Sequence, residues 1–270
     1  MQIFDFNIHL PTSPLNEVNN VIEEDMSLTE SGLIKGLNQH WPAFSQIKGA
    51  NFLLFNTNLF KGSIASFRES VKAKLQNYAF TALIDFRRND LNEYIQKAFD
   101  EGARAIMFNS YLQKIDLAEF ERVLNACKIA SGLGMRICID GSYGTSKMYT
   151  YDNLKLACYV ADNISEVPII IIHSGGYRVL EAMLLALDKT NVHLDTSFSL
   201  PYYLGSSLEQ DFAFAYKKLG AEKIVFGSDH PYCNFTEALK QHLGFFEKHK
   251  FNDDEIEKIM YRNAVRLFAG

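Results

Sequence analysis

PIIIIHSGG, residues 168–176, sets four isoleucines in a row and closes them with a histidine and two glycines. Four consecutive β-branched residues leave no polar face, so a strand built from them has to be covered on both sides. Parallel sheets flanked by helices meet that requirement. Five β-rich runs precede this block (IFDFNI, NFLLF, FTALIDF, ARAIMF and RICI), and two follow it (NVHLD and KIVFG). The stretches between carry helical spacing, among them DLAEFERVLNACKIASGLG, YRVLEAMLLALDKT and EQDFAFAYKKLG. Glycines in SGLGMR and KKLGAEK fall directly ahead of strands, where a helix C-cap is expected. Eight strand–helix units in about 250 residues are what a (β/α)8 TIM barrel needs. The other arrangement, an open doubly wound sheet, normally carries a Gly-rich phosphate loop after its first strand, and none is present.

The composition, 47% hydrophobic and 22% charged over 270 residues, supports one sizeable core, and a single domain spanning 1–270 is the economical reading. Residues 10–49 break the regular spacing. This long connection holds NEVNNVIEEDMSLTESG and the only tryptophan, Trp41, and it reads as a lid over a site. A net charge of -5, with lysines and arginines scattered, argues against nucleic acid or an anionic membrane as partner. A small-molecule substrate is expected instead, and a homo-oligomer is allowed. No apolar run is long enough to span a bilayer and no signal-type segment opens the chain, so a cytoplasmic protein is expected. The four cysteines form no CxxC pair and read as reduced thiols buried as small hydrophobes.

In a barrel of this kind the C-terminal ends of the strands form the active face. The first run, FDFNIHL, brings Asn7 and His9 there, the fifth brings Asp140, the sixth His173, and the eighth, in IVFGSDHPY, Asp229. By strict alternation Asp5, Asn7 and His9 share one strand face, wet and functional or simply solvated, while Phe4, Phe6 and Ile8 share the other. One histidine at a strand end is usually a packing residue. Two imidazoles, two carboxylates and an amide at one level form a set able to bind a divalent metal. Arg87 and Arg88, after the third strand, offer two-pronged contacts to a substrate carboxylate, although a solvated loop is the plainer reading for either alone. His193 and Asp195 line the mouth or are buried and hydrogen-bonded, and they stay outside the metal set. Tyr177 and Trp41 are candidate pocket walls. Cys233 lies four residues past Asp229 with no histidine placed to activate it, which disfavours a cysteine nucleophile.

The segments FDFNIHL, IIIIHSGG, IVFGSDHPY and IEKIMYRNAVRLF resemble, in order and spacing over nearly the whole chain, the amidohydrolase-related (amidohydrolase 2 type) metal-dependent hydrolases. GSDHP and NAVRLF are the most specific pieces. The resemblance implies a His-x-His pair on the first strand, histidines after the fifth and sixth, and an aspartate after the eighth. His9, His173 and Asp229 match that pattern, whereas Asn7 stands in place of the first histidine and Asp140 in place of the one after strand five. An amide oxygen is a poorer zinc ligand than imidazole, while Asp140 adds a full charge and a hard donor. Zinc is the expected metal, with manganese or iron as alternatives, held by His9, Asp140, His173 and Asp229.

Two readings stay open, a retuned metal site or a metal-free barrel that binds a small molecule without catalysis. With metal present, a bound water of pKa about 7 would be deprotonated by a carboxylate. Asp229 is the candidate base, and His173 the second catalytic residue. The resemblance implies hydrolysis of amides, esters or lactones and, in some members, non-oxidative decarboxylation. A small carboxylated substrate would meet Asn7, Arg87, Arg88, Trp41 and Tyr177.

Overall fold

The four isoleucines become a strand, β6 (Ile169–Ile172), in which every residue is buried. Mostly buried strands recur along the chain in a computed structural model, which describes residues 1–11, 29–143 and 146–268. Eight parallel strands pair in sequence order: β1 (Phe4–Ile8), β2 (Gly49–Leu54), β3 (Asn77–Leu83), β4 (Ala103–Phe108), β5 (Arg136–Asp140), β6, β7 (Val192–Asp195) and β8 (Ile224–Val225). Each is followed by a helix: α1 (Glu30–Phe44), α2 (Ala65–Lys72), α3 (Leu91–Asp100), α4 (Phe120–Gly132), α5 (Asn153–Asn163), α6 (Val179–Asp188), α7 (Leu208–Leu219) and α8 (Phe235–Lys248). The fold is a (β/α)8 TIM barrel. Past β8 the chain runs on beside β1 and closes the cylinder, with Phe6 N donating to Phe226 O (2.8 Å), Asp229 N to Asn7 O (3.0 Å) and His9 N to His230 O (2.7 Å). Gly134 and Gly220, at the ends of α4 and α7, hold φ of +71° and +83°, positive values that glycine adopts without a Cβ clash.

Continuous apolar strands are needed because two cores meet on them. Inward side chains such as Leu53, Leu83, Met107, Cys138, Ile172 and Val225 fill the barrel. Their neighbours, such as Phe52, Ala82, Ile106, Ile139, Ile171 and Leu194, pack under the helices. The expected alternation on β1 fails at one point. Asp5 pairs with Ala50 but Ile8 with Phe52, so the strand carries an extra residue between them. Such a bulge reverses the inside–outside sense beyond it. Phe4 and Phe6 therefore belong to the inner core and Ile8 to the outer one, and none of residues 4–8 faces solvent.

The N-terminal end of the barrel is plugged by the segment that contains NAVRLF. Ala264 and Leu267 join the inner core, and Phe268 stacks on Phe4 (6.0 Å) and Phe6 (5.5 Å). Asn263 anchors this plug by donating from Nδ2 to the carbonyls of Ala221 (2.6 Å) and Ile224 (2.7 Å).

Two expectations need correction. The 10–49 connection is not loop throughout, because residues 30–44 form α1, whose Leu33, Leu37 and Phe44 are buried against the outer core. Thr29 caps that helix by accepting from Gly32 N, and residues 12–28 of the expected lid lie outside the described residues. The cysteines are all free, but only Cys127 and Cys138 are buried. Cys158 is exposed and Cys233 half-buried. Among the described residues no helix is long and apolar enough to cross a membrane.

Candidate active site

His9 leaves the end of β1, and Asp229 stands in the turn after β8 that pairs with it. Their approach, 3.4 Å from Nε2 to Oδ1, follows from barrel closure. Asp140 ends β5 and His173 follows β6, the neighbouring strand, with Nε2 3.7 Å from Asp140 Oδ2. All four side chains are buried at the C-terminal mouth. His173 and Asp229 hold φ of +62° and +61°, a region that costs a non-glycine residue on the order of 1 kcal/mol and persists where surrounding contacts fix it.

Hydrogen bonds aim these groups. Asp140 Oδ1 accepts from Ser142 N (2.8 Å) and Ser142 Oγ (2.6 Å), which leaves Oδ2 toward His173. The backbone N of His173 donates to Asp195 Oδ2 (3.1 Å), and its Nδ1 lies 2.9 Å from Ser197 Oγ and 3.2 Å from Ser197 O. Ser197 Oγ in turn donates to Asp195 and accepts from Asn7 Nδ2 (2.8 Å). Asp5 sits below Asn7, its Oδ1 accepting from the backbone N of Asn7 (3.1 Å) and of Ser228 (2.9 Å).

The region is strongly acidic. Asp5, Asp140, Asp195 and Asp229 are all buried there, and among the described residues the ion pairs of these four are with histidines alone. Burial works against a charged His173, but the carboxylates of Asp229, Asp140 and Asp195 outweigh it and raise its pKa. Burial raises Asp195 as well, and it pushes Asp5 up to about 7 against the hydrogen bonds from Ser228 and Asn7. Half-buried Tyr111, bonded to Asn109 and Ser142, is held in its phenol form first by burial and then by the charge of Asp140.

Whether these residues suit a metal can be judged from their spacing. Charge-assisted N–H···O bonds run about 2.7–2.9 Å. Two donors sharing one ion at about 2.0–2.1 Å stand about 3.3 Å apart in a tetrahedral shell. The 3.4 Å pair lies near the second value and the 3.7 Å pair a little beyond it. Among the described residues no set of three or more His, Cys, Asp or Glu side chains forms a ready-made cage. The donors stand as two pairs that suit a divalent ion in charge and chemistry.

The remaining sequence candidates are placed differently. Arg87 donates to the carbonyls of Gln113 and Lys114 and lies near Glu119. Arg88 bonds Asp90 and Asn58 and covers the Tyr94 ring. Trp41 packs edge-on against Phe44 on α1. Tyr177 is exposed and meets Tyr143 edge-on. His193 has its pKa lowered to about 4 by burial and by Lys223 and Arg266, apart from the mouth. Sequence reasoning missed Ser142, Ser197, Tyr111 and the pair His40–His230. His40 Nδ1 lies 3.2 Å from His230 Nε2, and its Nε2 3.0 Å from Pro11 O, which ties α1 to the site.

Residues 72–270 match a family profile described as Amidohydrolase. No curated protein matches the sequence. Among solved structures, an uncharacterized TIM-barrel protein from Bordetella bronchiseptica is 19% identical with a TM-score of 0.75, over 100% of this chain and 99% of that one. A "probable 2-pyrone-4,6-dicarboxylic acid hydrolase" from Acinetobacter baumannii, solved with citric acid bound, is 15% identical with a TM-score of 0.65, over 100% of both chains. A dihydroxybenzoic acid decarboxylase from a Polaromonas species, with bound manganese and the inhibitor 2-nitroresorcinol, is 13% identical with a TM-score of 0.64, over 99% of this chain and 97% of that one. At such identities these likenesses concern the fold.

Proposed function

Because the chain belongs to the amidohydrolase family, we propose that it is a metal-dependent hydrolase of a small carboxylated molecule, in which His9, Asp140, His173 and Asp229 hold one divalent cation. The observation that carries this reading is the cluster of buried carboxylates at the mouth whose ion pairs, among the described residues, are with histidines alone. Burying the charges of Asp140 and Asp229 together without a compensating cation is costly. Two nitrogen and two oxygen donors suit zinc, and the carboxylate share also accommodates manganese or iron. The bound ion would polarise a substrate oxygen and lower the pKa of a water to about 7.

The chain's own groups do the rest. Asp229 is the residue placed to take a proton from a water in the mouth, and His9, 3.4 Å away, would stand beside it as a donor to the cation. The Tyr111 phenol, kept protonated by burial, donates a hydrogen bond to a substrate oxygen. His173, its ring fixed by Ser197, would act through Nε2 as a donor to the cation, with Nδ1–H kept on the Ser197 side. Arg87, Arg88 and Trp41 have their contacts elsewhere and stay out of the substrate set, whereas Tyr177 walls the rim. The small carboxylated substrate agrees with the acids that the hydrolase and the decarboxylase described above act on or bind. A single catalytic domain spans 1–270.

The test is metal analysis of purified protein together with a screen of carboxylated lactones, esters and amides. Near-stoichiometric zinc, manganese or iron is expected, with turnover that falls by about 10²-fold or more in Asp229→Asn. Protein that stays metal-free after growth with added metals, and that takes up none in calorimetry, would instead be a non-catalytic binding barrel. Release of carbon dioxide without hydrolysis would assign decarboxylation.

A further inference from the structure

The polar groups around Ser197 allow one consistent assignment of their protons. A serine hydroxyl has one proton to give and two lone pairs to accept with. Ser197 gives its proton to Asp195 Oδ2, a carboxylate that also accepts from the backbone N of His173. Its lone pairs then face Asn7 Nδ2 at 2.8 Å and His173 Nδ1 at 2.9 Å. Turning the Asn7 amide over would set its oxygen against an oxygen with no proton left, so Nδ2 must face Ser197. His173 Nδ1 also lies 3.2 Å from the carbonyl of Ser197, an acceptor only, and so has to carry hydrogen. Nε2 is then the nitrogen left to face Asp140 and the mouth.

The cluster is built tightly as well. A side-chain carbon added at Gly227 would collide with Asp195 Oδ1 and come within 2.9 Å of the Cβ atoms of Asn7 and Ser197, so only glycine fits there. Asn7, Ser197 and Asp195 are each fully buried.

We infer that Asn7, which stands where the first strand would carry a metal-binding histidine, is a positioning residue for His173: its amide NH₂ holds Ser197 Oγ as an acceptor, Ser197 fixes the His173 ring with Nδ1 protonated, and Nε2 is turned to the mouth. Asn7 Oδ1 has no hydrogen-bond partner among the described residues, and it is the atom that the competing assignment, Asn7 as a metal ligand, would use. The consequence for metal affinity rests on the function proposed above. The state of the ring does not.

Asn7→Asp separates the two assignments by sign. The side chain keeps its shape, gains a charge and loses its donor. A ligand at position 7 would bind manganese or zinc more tightly as Asp. A positioning residue would bind it more weakly, by about tenfold or more, as expected for lost support behind a ligand. Calorimetric titration of metal-free wild type, Asn7→Asp, Ser197→Ala and the double variant reads this directly, and the double variant is expected to be no weaker than the weaker single. In parallel, ¹⁵N NMR of the His173 ring in the metal-free wild-type protein should show hydrogen on Nδ1 in the neutral form, a measurement that depends on no variant folding. Tighter binding by Asn7→Asp, or a neutral ring with hydrogen on Nε2, overturns the inference. Wild-type protein that binds neither metal sinks the proposed function and leaves the ring state as the deciding observation.

Discussion

Asp5 makes the sharpest prediction about stability, because a fully buried carboxyl registers as a dependence on pH. Its pKa is pushed from 3.8 to about 7 by burial, against hydrogen bonds from Ser228 and Asn7, and Oδ2 has no partner among the described residues. Below the unfolded value both states are protonated and the group costs nothing. Between that value and about 7 the unfolded chain ionises while the folded one does not, so stability falls as pH rises, and above about 7 the full cost is in place. Each pH unit is worth about 1.4 kcal/mol, and the two values lie roughly three units apart, which gives a loss on the order of 4 kcal/mol.

Asp5→Asn removes the titration while keeping an acceptor for the two backbone N–H groups. Its unfolding free energy relative to wild type should climb by about 1.4 kcal/mol per pH unit from mildly acidic pH and level off near neutrality. The unpaired amide of Asn adds a constant offset of about 1–3 kcal/mol that leaves this shape unchanged. Urea denaturation of both proteins across that range measures the difference. A difference that stays flat from acid to alkaline pH would refute the reasoning, since Asp5 would then titrate alike in both states.

Three further outcomes are expected. Asn263→Ala strips the partner from two buried carbonyls, Ala221 O and Ile224 O, and should cost about 2–4 kcal/mol by urea denaturation. Leu267→Ala opens the barrel's plugged end and should cost about 2–5 kcal/mol, read as a drop in melting temperature with no change in the cooperativity of unfolding. Asp140→Asn keeps the acceptor for Ser142 but removes the charge facing His173, and manganese or zinc should bind about tenfold or more weakly in calorimetry, while unchanged affinity would take Asp140 out of the donor set.

The strands were legible because a fully covered strand has to be apolar on both faces, and 169–172 leaves no other choice. His9, Asp140, His173 and Asp229 could be grouped because strand ends share a level once a barrel is assumed. The bulge on β1 left no mark, since no glycine or proline signals it in FDFNI, and it reverses the sense of Ile8. α1 was hidden by its own sequence, which carries two glycines and Pro42 and has only a short buried stripe. Ser197 carried no signal either. Its role comes from contact with Asn7, 190 residues away, and a serine after a strand looks like any loop serine. His230 carries no signal of its own, because its partner His40 lies 190 residues away on α1.

The plug has a consequence for how the molecule comes into being. Phe268 rests on Phe4 and Phe6, and Phe226 pairs with Phe6, so one edge of the first strand and its plug meet their partners only after nearly everything between them has been synthesised. A ribosome working at about 5–20 residues per second exposes β1 many seconds before β8 and the plug exist. Throughout that interval the unpaired edge of β1 and an open apolar bore face water or a chaperone, and barrel closure is set by the last contacts to be translated.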